Sequence, residues 1–216
     1  MADMVNAGTD STATSVAWAF VILSHFPDVQ KQLRDEVDAF INKHGRLPTY
    51  EERENFPFLL STQKECLRYK SLVHLVLHQV SEDIECKGYI IPRVSIVVSN
   101  TYTLHQDTTF YDNPEKFIPD RSMEDQTPMS VCANSREKRD QFTFGWGRRV
   151  CPGIHMAEVE LFHIWVRVFA TTIIEPPLDN SGKPVYPNLN AIEDLGIIVA
   201  PKESNLEFIE RRDRLI

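Results

Sequence analysis

Cysteine is scarce in this 216-residue chain, and the four thiols, Cys66, Cys86, Cys132 and Cys151, include no C-x-x-C pair, so neither a disulfide scaffold nor a four-ligand zinc ribbon is indicated. Free thiols in a reducing compartment fit that usage. Basic charge is also in short supply. The 23 Lys+Arg stand against 31 Asp+Glu, a net charge of −8 that argues against nucleic acid as a partner. A long apolar run is missing as well: the longest uncharged stretch, Ser11 to Pro27, covers 17 residues and contains several hydroxyls and His25, too short and too polar to span a bilayer. Met1 to Thr14 is small and polar, without the basic-then-apolar order of a secretory signal. Internal repeats and low-complexity tracts are absent.

What remains is an ordinary globular composition, 42% hydrophobic and 25% charged, at a length that predicts one or two domains. Val16 to Leu23 is apolar nearly all round, so a helix beginning at Met1 needs protein around it, and chain upstream of it is expected. Asp28 to Lys43 carries Val29, Leu33, Val37, Phe40 and Ile41 at helical spacing between Pro27 and Gly45. After a short acidic stretch, Tyr50 to Asn55, the run Phe58 to Tyr69 predicts a second helix with Glu65 and Arg68 on one face. Leu75 to Asn100 turns β-branched, with reversals at Lys87-Gly88 and Pro92-Arg93, and predicts a small sheet. Asp107 to Arg139 holds three prolines and little periodicity, the pattern of an ordered meander or partly mobile loop. Pro152 suits the first turn of a helix reaching about Thr171, and Gly196 to Val199 suggests a second hairpin.

The chemistry concentrates in Phe144-Gly145-Trp146-Gly147-Arg148-Arg149-Val150-Cys151-Pro152-Gly153. A cysteine at the mouth of a helix, beside two arginines, is expected to favour its thiolate form, and glycines let the backbone approach a flat ligand closely. Three other readings stay open for Cys151: a structural thiol on a helix cap, a nucleophile lacking an evident base, and half of a zinc site with His155.

The pattern Phe144, Gly147, Arg149, Cys151 and Gly153 resembles the haem-binding signature of the cytochrome P-450 superfamily, and Ala157 and Glu160 continue it. Three further stretches resemble family motifs in order: Pro27 to Glu36, the Glu65-x-x-Arg68 helix with Arg121 of Phe117-Ile118-Pro119-Asp120-Arg121, and Ala7-Gly8-Thr9-Asp10-Ser11-Thr12. The resemblance implies Cys151 as the axial thiolate of haem (iron protoporphyrin IX), Phe144 shielding the sulfur, and Arg149 and His78 on the haem propionates. It implies a structural ion-pair network of Glu65, Arg68 and Arg121, since a buried carboxylate needs such partners. It further implies that Gly8 relaxes the distal helix, that Asp10 and Ser11 or Thr12 relay protons, and that Val73 to Leu77 line the substrate pocket. Ser11 replaces the usual threonine, dropping the methyl that restricts the rotamer. Tyr69 to His74 lacks the prolines the family places there.

The expected fold is mainly α with small β-sheets, corresponding to the C-terminal half of the cytochrome P-450 fold. Residues 1–216 then form a single partial domain whose N-terminal half is absent. The implied reaction inserts one atom of O2 into a lipophilic small-molecule substrate, with electrons from an NADPH-dependent reductase and no nucleic-acid partner. Arg136, Lys138, Arg139, Arg148 and Arg149 against Glu137 and Asp140 form a basic patch that could dock such an acidic redox partner. A full-length relative is expected to carry an N-terminal anchor to the endoplasmic reticulum membrane. The alternatives are a truncated non-catalytic haem binder, a relative that rearranges peroxides without a reductase, and a helical interaction module without cofactor.

Overall fold

The computed structural model describes residues 2–135 and 139–216. Helix α1 (Ala2–Ser24) ends in a segment with no polar stripe, and Trp18, Ala19, Phe20, Val21, Ile22 and Leu23 are all buried. Pro27 opens α2 (Pro27–His44), which buries Leu33, Val37, Phe40 and Ile41 at intervals of three and four and stops at Gly45, whose N–H bonds back to the Ile41 carbonyl. The acidic stretch Tyr50–Asn55 is a 3-10 helix, started by a reciprocal cap between Thr49 and Glu52. Helix α3 (Pro57–Tyr69) takes its own cap from a neighbour: both oxygens of Glu36 on α2 accept backbone N–H groups, Phe58 and Leu59, each at 2.9 Å. Two orphan donors of a helix N-terminus are thereby satisfied from another element.

Between them come two antiparallel pairs. Strand β1 (Leu75–Gln79) lies against β4 (Ile96–Asn100) with Leu77 opposite Val98, and β2 (Ile84–Cys86) forms a hairpin with β3 (Tyr89–Ile91). Lys87 and Gly88, both at positive φ, make the hairpin turn where the sequence places a reversal. Helices α4 (Thr101–His105) and α5 (Met129–Asn134) are too short to leave a periodic signal, and the sequence reading passes over both. Helix α6 (Ile154–Thr171) begins two residues after Pro152, later than the sequence suggests, because Gly153 serves as the N-cap. Strand β5 (Thr172–Glu175) pairs with β8 (Glu207–Glu210), and β6 (Ile192–Asp194) with β7 (Val199–Pro201) around Gly196. The first of these pairs has no tight turn to announce it.

The main core joins α1, α2, α3 and α6, with Phe40, Phe56, Phe162, Trp165 and Phe169 at its centre. The tail closes over it. Trp18 Nε1 donates to the Val199 carbonyl at 2.8 Å, Gln30 exchanges hydrogen bonds with the backbone of Ile174, and Arg211 pairs with Asp38 at 2.5 Å. A second cluster, with Leu67, Leu72, Met129, Ile154 and Leu161 buried, carries Phe144, Val150 and Cys151 at its edge. The cysteine is thus seated on a packed base.

Candidate functional site

Glu65 and Arg68 lie one turn apart on α3, and both side chains are 1% exposed. Arg68 donates to both Glu65 oxygens (2.7 and 2.8 Å) and to the carbonyls of His105, Pro114 and Lys116. Arg121 adds a bond to Glu65 at 3.0 Å and another to the Asp112 carbonyl at 2.7 Å, while the Ile118 N–H donates to the same carboxylate. A surface pair at this spacing would be worth little; this one is buried and gathers the meander by its carbonyls.

The cysteine loop is fastened at its start. The Phe142 N–H donates to His105 Nε2 at 2.9 Å, and the Thr143 hydroxyl to the Leu67 carbonyl at 3.2 Å. Burial, then the nearby Arg68 and His74, push the His105 pKa down to about 3, so its Nε2 remains an acceptor. Gly145 and Gly147 both stand at φ +66°, a conformation that side chains resist, and they turn the chain so that the Cys151 N–H bonds to the Phe144 carbonyl at 2.9 Å. Cys151 precedes the α6 N-cap by two residues and is half-buried. A methyl placed on Gly153 would touch its sulfur at 3.8 Å. The other thiols differ: burial pushes Cys66 well up and Cys132 to about 12, and Cys86 is exposed on β2.

Cys151 opens on a cavity of about 230 Å3 walled by Leu72, Val73, Val76, Phe144, Ala157 and Leu161. Ser11, Thr12 and Ser15 of α1 bring hydroxyls to the same cavity, and Arg149 closes one side. Val76 and Arg149 also border a larger groove, about 890 Å3, with Leu77, His78, Gln79, Ser81 and Arg148. Along β1, Val76 and His78 are half-buried on one face, whereas Leu75 and Leu77 are exposed on the other with Val98 and Ile96, and Leu77 also borders the groove. One contiguous slot therefore runs from an apolar end holding a thiol to an end lined by His78, Arg148 and Arg149.

A family model described as cytochrome P-450 matches residues 1–206. The chain belongs to the cytochrome P-450 family. It is 36% identical, over 83% of its length and 33% of the other's, to cytochrome P-450 monooxygenase COX2 of Coprinopsis cinerea. It is 31% identical, over 98% of its length and 41% of the other's, to tryptamine 4-monooxygenase of Psilocybe cyanescens. A zebrafish cytochrome P-450 solved with abiraterone superposes at a TM-score of 0.79 and 25% identity, over 95% of this chain and 46% of that one. The chain thus spans between 33% and 41% of these two curated relatives. The P-450 relatives are named monooxygenases, and the mainly helical architecture with small sheets is that of the P-450 fold.

Not every P-450 motif residue meets at the cavity. Ser11, Thr12, Phe144, Arg149 and Cys151 do; His78 reaches the adjoining groove; Asp10 is exposed and stands outside both linings. Gly8 lies in unbroken α1, and Gly147 and Gly153 shape the loop without lining the cavity. Of the expected pocket stretch, Val73 and Val76 line the cavity, Leu77 borders only the groove, and Leu75 is half exposed on the outer face. The basic patch is only partly described. Arg136, Glu137 and Lys138 fall outside the described residues, Arg139 lies over the Trp146 ring at 5.4 Å, and Asp140 sits 2.6 Å from Lys64. Arg139 and Asp140 are half-buried, and among the described residues of the patch Arg148 and Arg149 are exposed. His155 is exposed, and no group of three His, Cys, Asp or Glu converges among the described residues. The residues that sequence reasoning missed are Ser15, Leu72, Thr143 and His105, whose roles depend on backbone groups or walls distant along the chain.

Proposed function

We propose that this chain carries the haem-thiolate centre of a P-450 monooxygenase, with Cys151 Sγ as the atom that would ligate the haem iron. The observation that supports this most directly is the slot itself: a half-buried thiol at an apolar end, cations at the other, and hydroxyls of a second helix bordering the same space. Haem has that chemistry, a flat apolar macrocycle with two carboxylates on one edge, and the residues present fit it. Its bound form supplies the redox centre at which O2 is activated for insertion of one oxygen atom into an organic substrate.

The protein's own part follows from its side chains. Cys151 offers the soft sulfur ligand, and the rigid loop behind it fixes where that sulfur stands. His78 and Arg149, which line the groove, would hold the haem propionates. Leu72, Val73 and Val76 exclude water and favour a lipophilic substrate. Ser11 Oγ donates to the Ala7 carbonyl at 2.6 Å, so its proton is held within α1 until rotation about χ1 turns it to the cavity. Asp10, exposed one residue before it, is the motif carboxylate that would pass protons toward that hydroxyl. Electrons come from a reductase docked near Arg148. Residues 1–216 act together as a single partial domain.

The absorption spectrum of the purified chain with haem, reduced under carbon monoxide, tests the assignment. A thiolate-type band that disappears in Cys151→Ala is expected. Haem bound with the same spectrum in both proteins overturns Cys151 as the ligand.

A further inference from the structure

The three α1 hydroxyls that line the cavity are not equivalent. Ser11 donates to Ala7 and Ser15 to the Ser11 carbonyl at 2.8 Å, both within their own helix. Thr12 is the one that crosses. Its Oγ1 donates to Glu160 Oε2 on α6 at 3.2 Å, a contact between residues 148 positions apart. The bond also stands at a boundary. On one side Ser15 and Ala19 close against Leu161 and Trp165 around a narrow gap, and Thr14 and the segment from Trp18 to Ser24 are buried. On the other, Ala7 to Asp10 are exposed. Thr12 to Glu160 is therefore a polar tie between α1 and α6 at the point where α1 passes from its buried segment to its exposed one.

We propose that Thr12 and Glu160 are positioning residues, forming a latch that sets the gap between the Ser11 turn of α1 and the cysteine side of the cavity. The proposal rests on the haem-thiolate reading of that cavity and divides the labour of two adjacent hydroxyls. Thr12 commits its proton to a carboxylate, an acceptor stronger than a neutral oxygen, and its β-branch restricts the rotamer that holds it there. Ser11 carries no tie to another element and remains the mobile hydroxyl. The sequence motif offers both as proton donors; the contact to Glu160 separates them.

Amide hydrogen exchange over residues 11 to 15 tests the latch in the chain without haem. Thr12→Val keeps the branched shape without the hydroxyl and is expected to speed exchange about tenfold, the loss of one hydrogen bond to a charged group. Thr12→Ser retains the donor and is expected to stay within about twofold of the unchanged chain. Glu160→Ala matches Thr12→Val, and the double variant is no faster than either alone, because both remove the same bond. Unchanged rates in Thr12→Val, or additive effects in the double variant, overturn the latch. In the haem-loaded chain, Thr12→Val is expected to favour 4-phenylimidazole relative to imidazole in spectral titrations as the gap widens; an unaltered ratio overturns the positioning role. Absence of a thiolate band in the unchanged chain defeats the haem reading alone, since the exchange rates decide the latch without it.

Discussion

Arg68 uses all five of its N–H donor sites: two bonds to Glu65 and one each to the carbonyls of His105, Pro114 and Lys116. Lysine has three donors and no planar fork, so charge conservation does not conserve this node. Arg68→Lys is expected to cost about 3 kcal/mol or more, the scale for breaking a buried pair, and to lower the Tm by roughly 10 °C in a thermal melt. His105 gives a prediction in pH. The unfolded imidazole takes a proton near 6.5, while the buried one resists it until about 3, so stability is complete above 6.5 and falls as the pH drops between these values. Denaturant midpoints at pH 7 and 5 should show this group contributing a loss of at most about 1.4 kcal/mol per pH unit, removed in His105→Asn. These residues were unequally legible. Glu65, Arg68 and Arg121 sit in stretches that resemble family motifs, and that resemblance offers them together. The partner of His105 is a backbone N–H 37 residues away, and the partner of Thr12 lies 148 away; neither distance leaves a mark in composition or period.

Among the elements, those with a long apolar period were readable to within a residue or two, as the Pro27 and Gly45 signals of α2 illustrate. Those fixed by tertiary contacts were not. Helix α4 is five residues long and exists because Asn100 accepts the Thr103 N–H at its start, and α6 moved its beginning from Pro152 to Ile154. Helix α3 shows the same dependence from the opposite direction, since α2 supplies its cap. Glu36→Gln keeps the size of the side chain but leaves one oxygen to accept where two do now. A loss of about 1 kcal/mol, or roughly 3 °C in Tm, is expected by calorimetry, alongside unchanged helix content by circular dichroism.

Across the whole molecule, the core runs without interruption from α1 through α6 to β5, and the tail bonds back to α1 and α2. A chain with a core of this continuity should melt in one transition, with calorimetric and van't Hoff enthalpies equal; two resolved transitions would divide it. The outer face of the β1 and β4 pair is a different matter, because Leu75, Leu77, Ile96 and Val98 are each more than half exposed there. Such a face is the kind that protein partners cover, and it lies opposite the face of Val76 and His78, with Leu77 at the border of the groove. The clasp of the tail also orders events in time. Trp18, Gln30 and Asp38 are synthesised well before their partners Val199, Ile174 and Arg211. A nascent chain holds an indole, an amide and a carboxylate in waiting while at least 144 further residues are made, so the clasp closes late in the life of this segment on the ribosome.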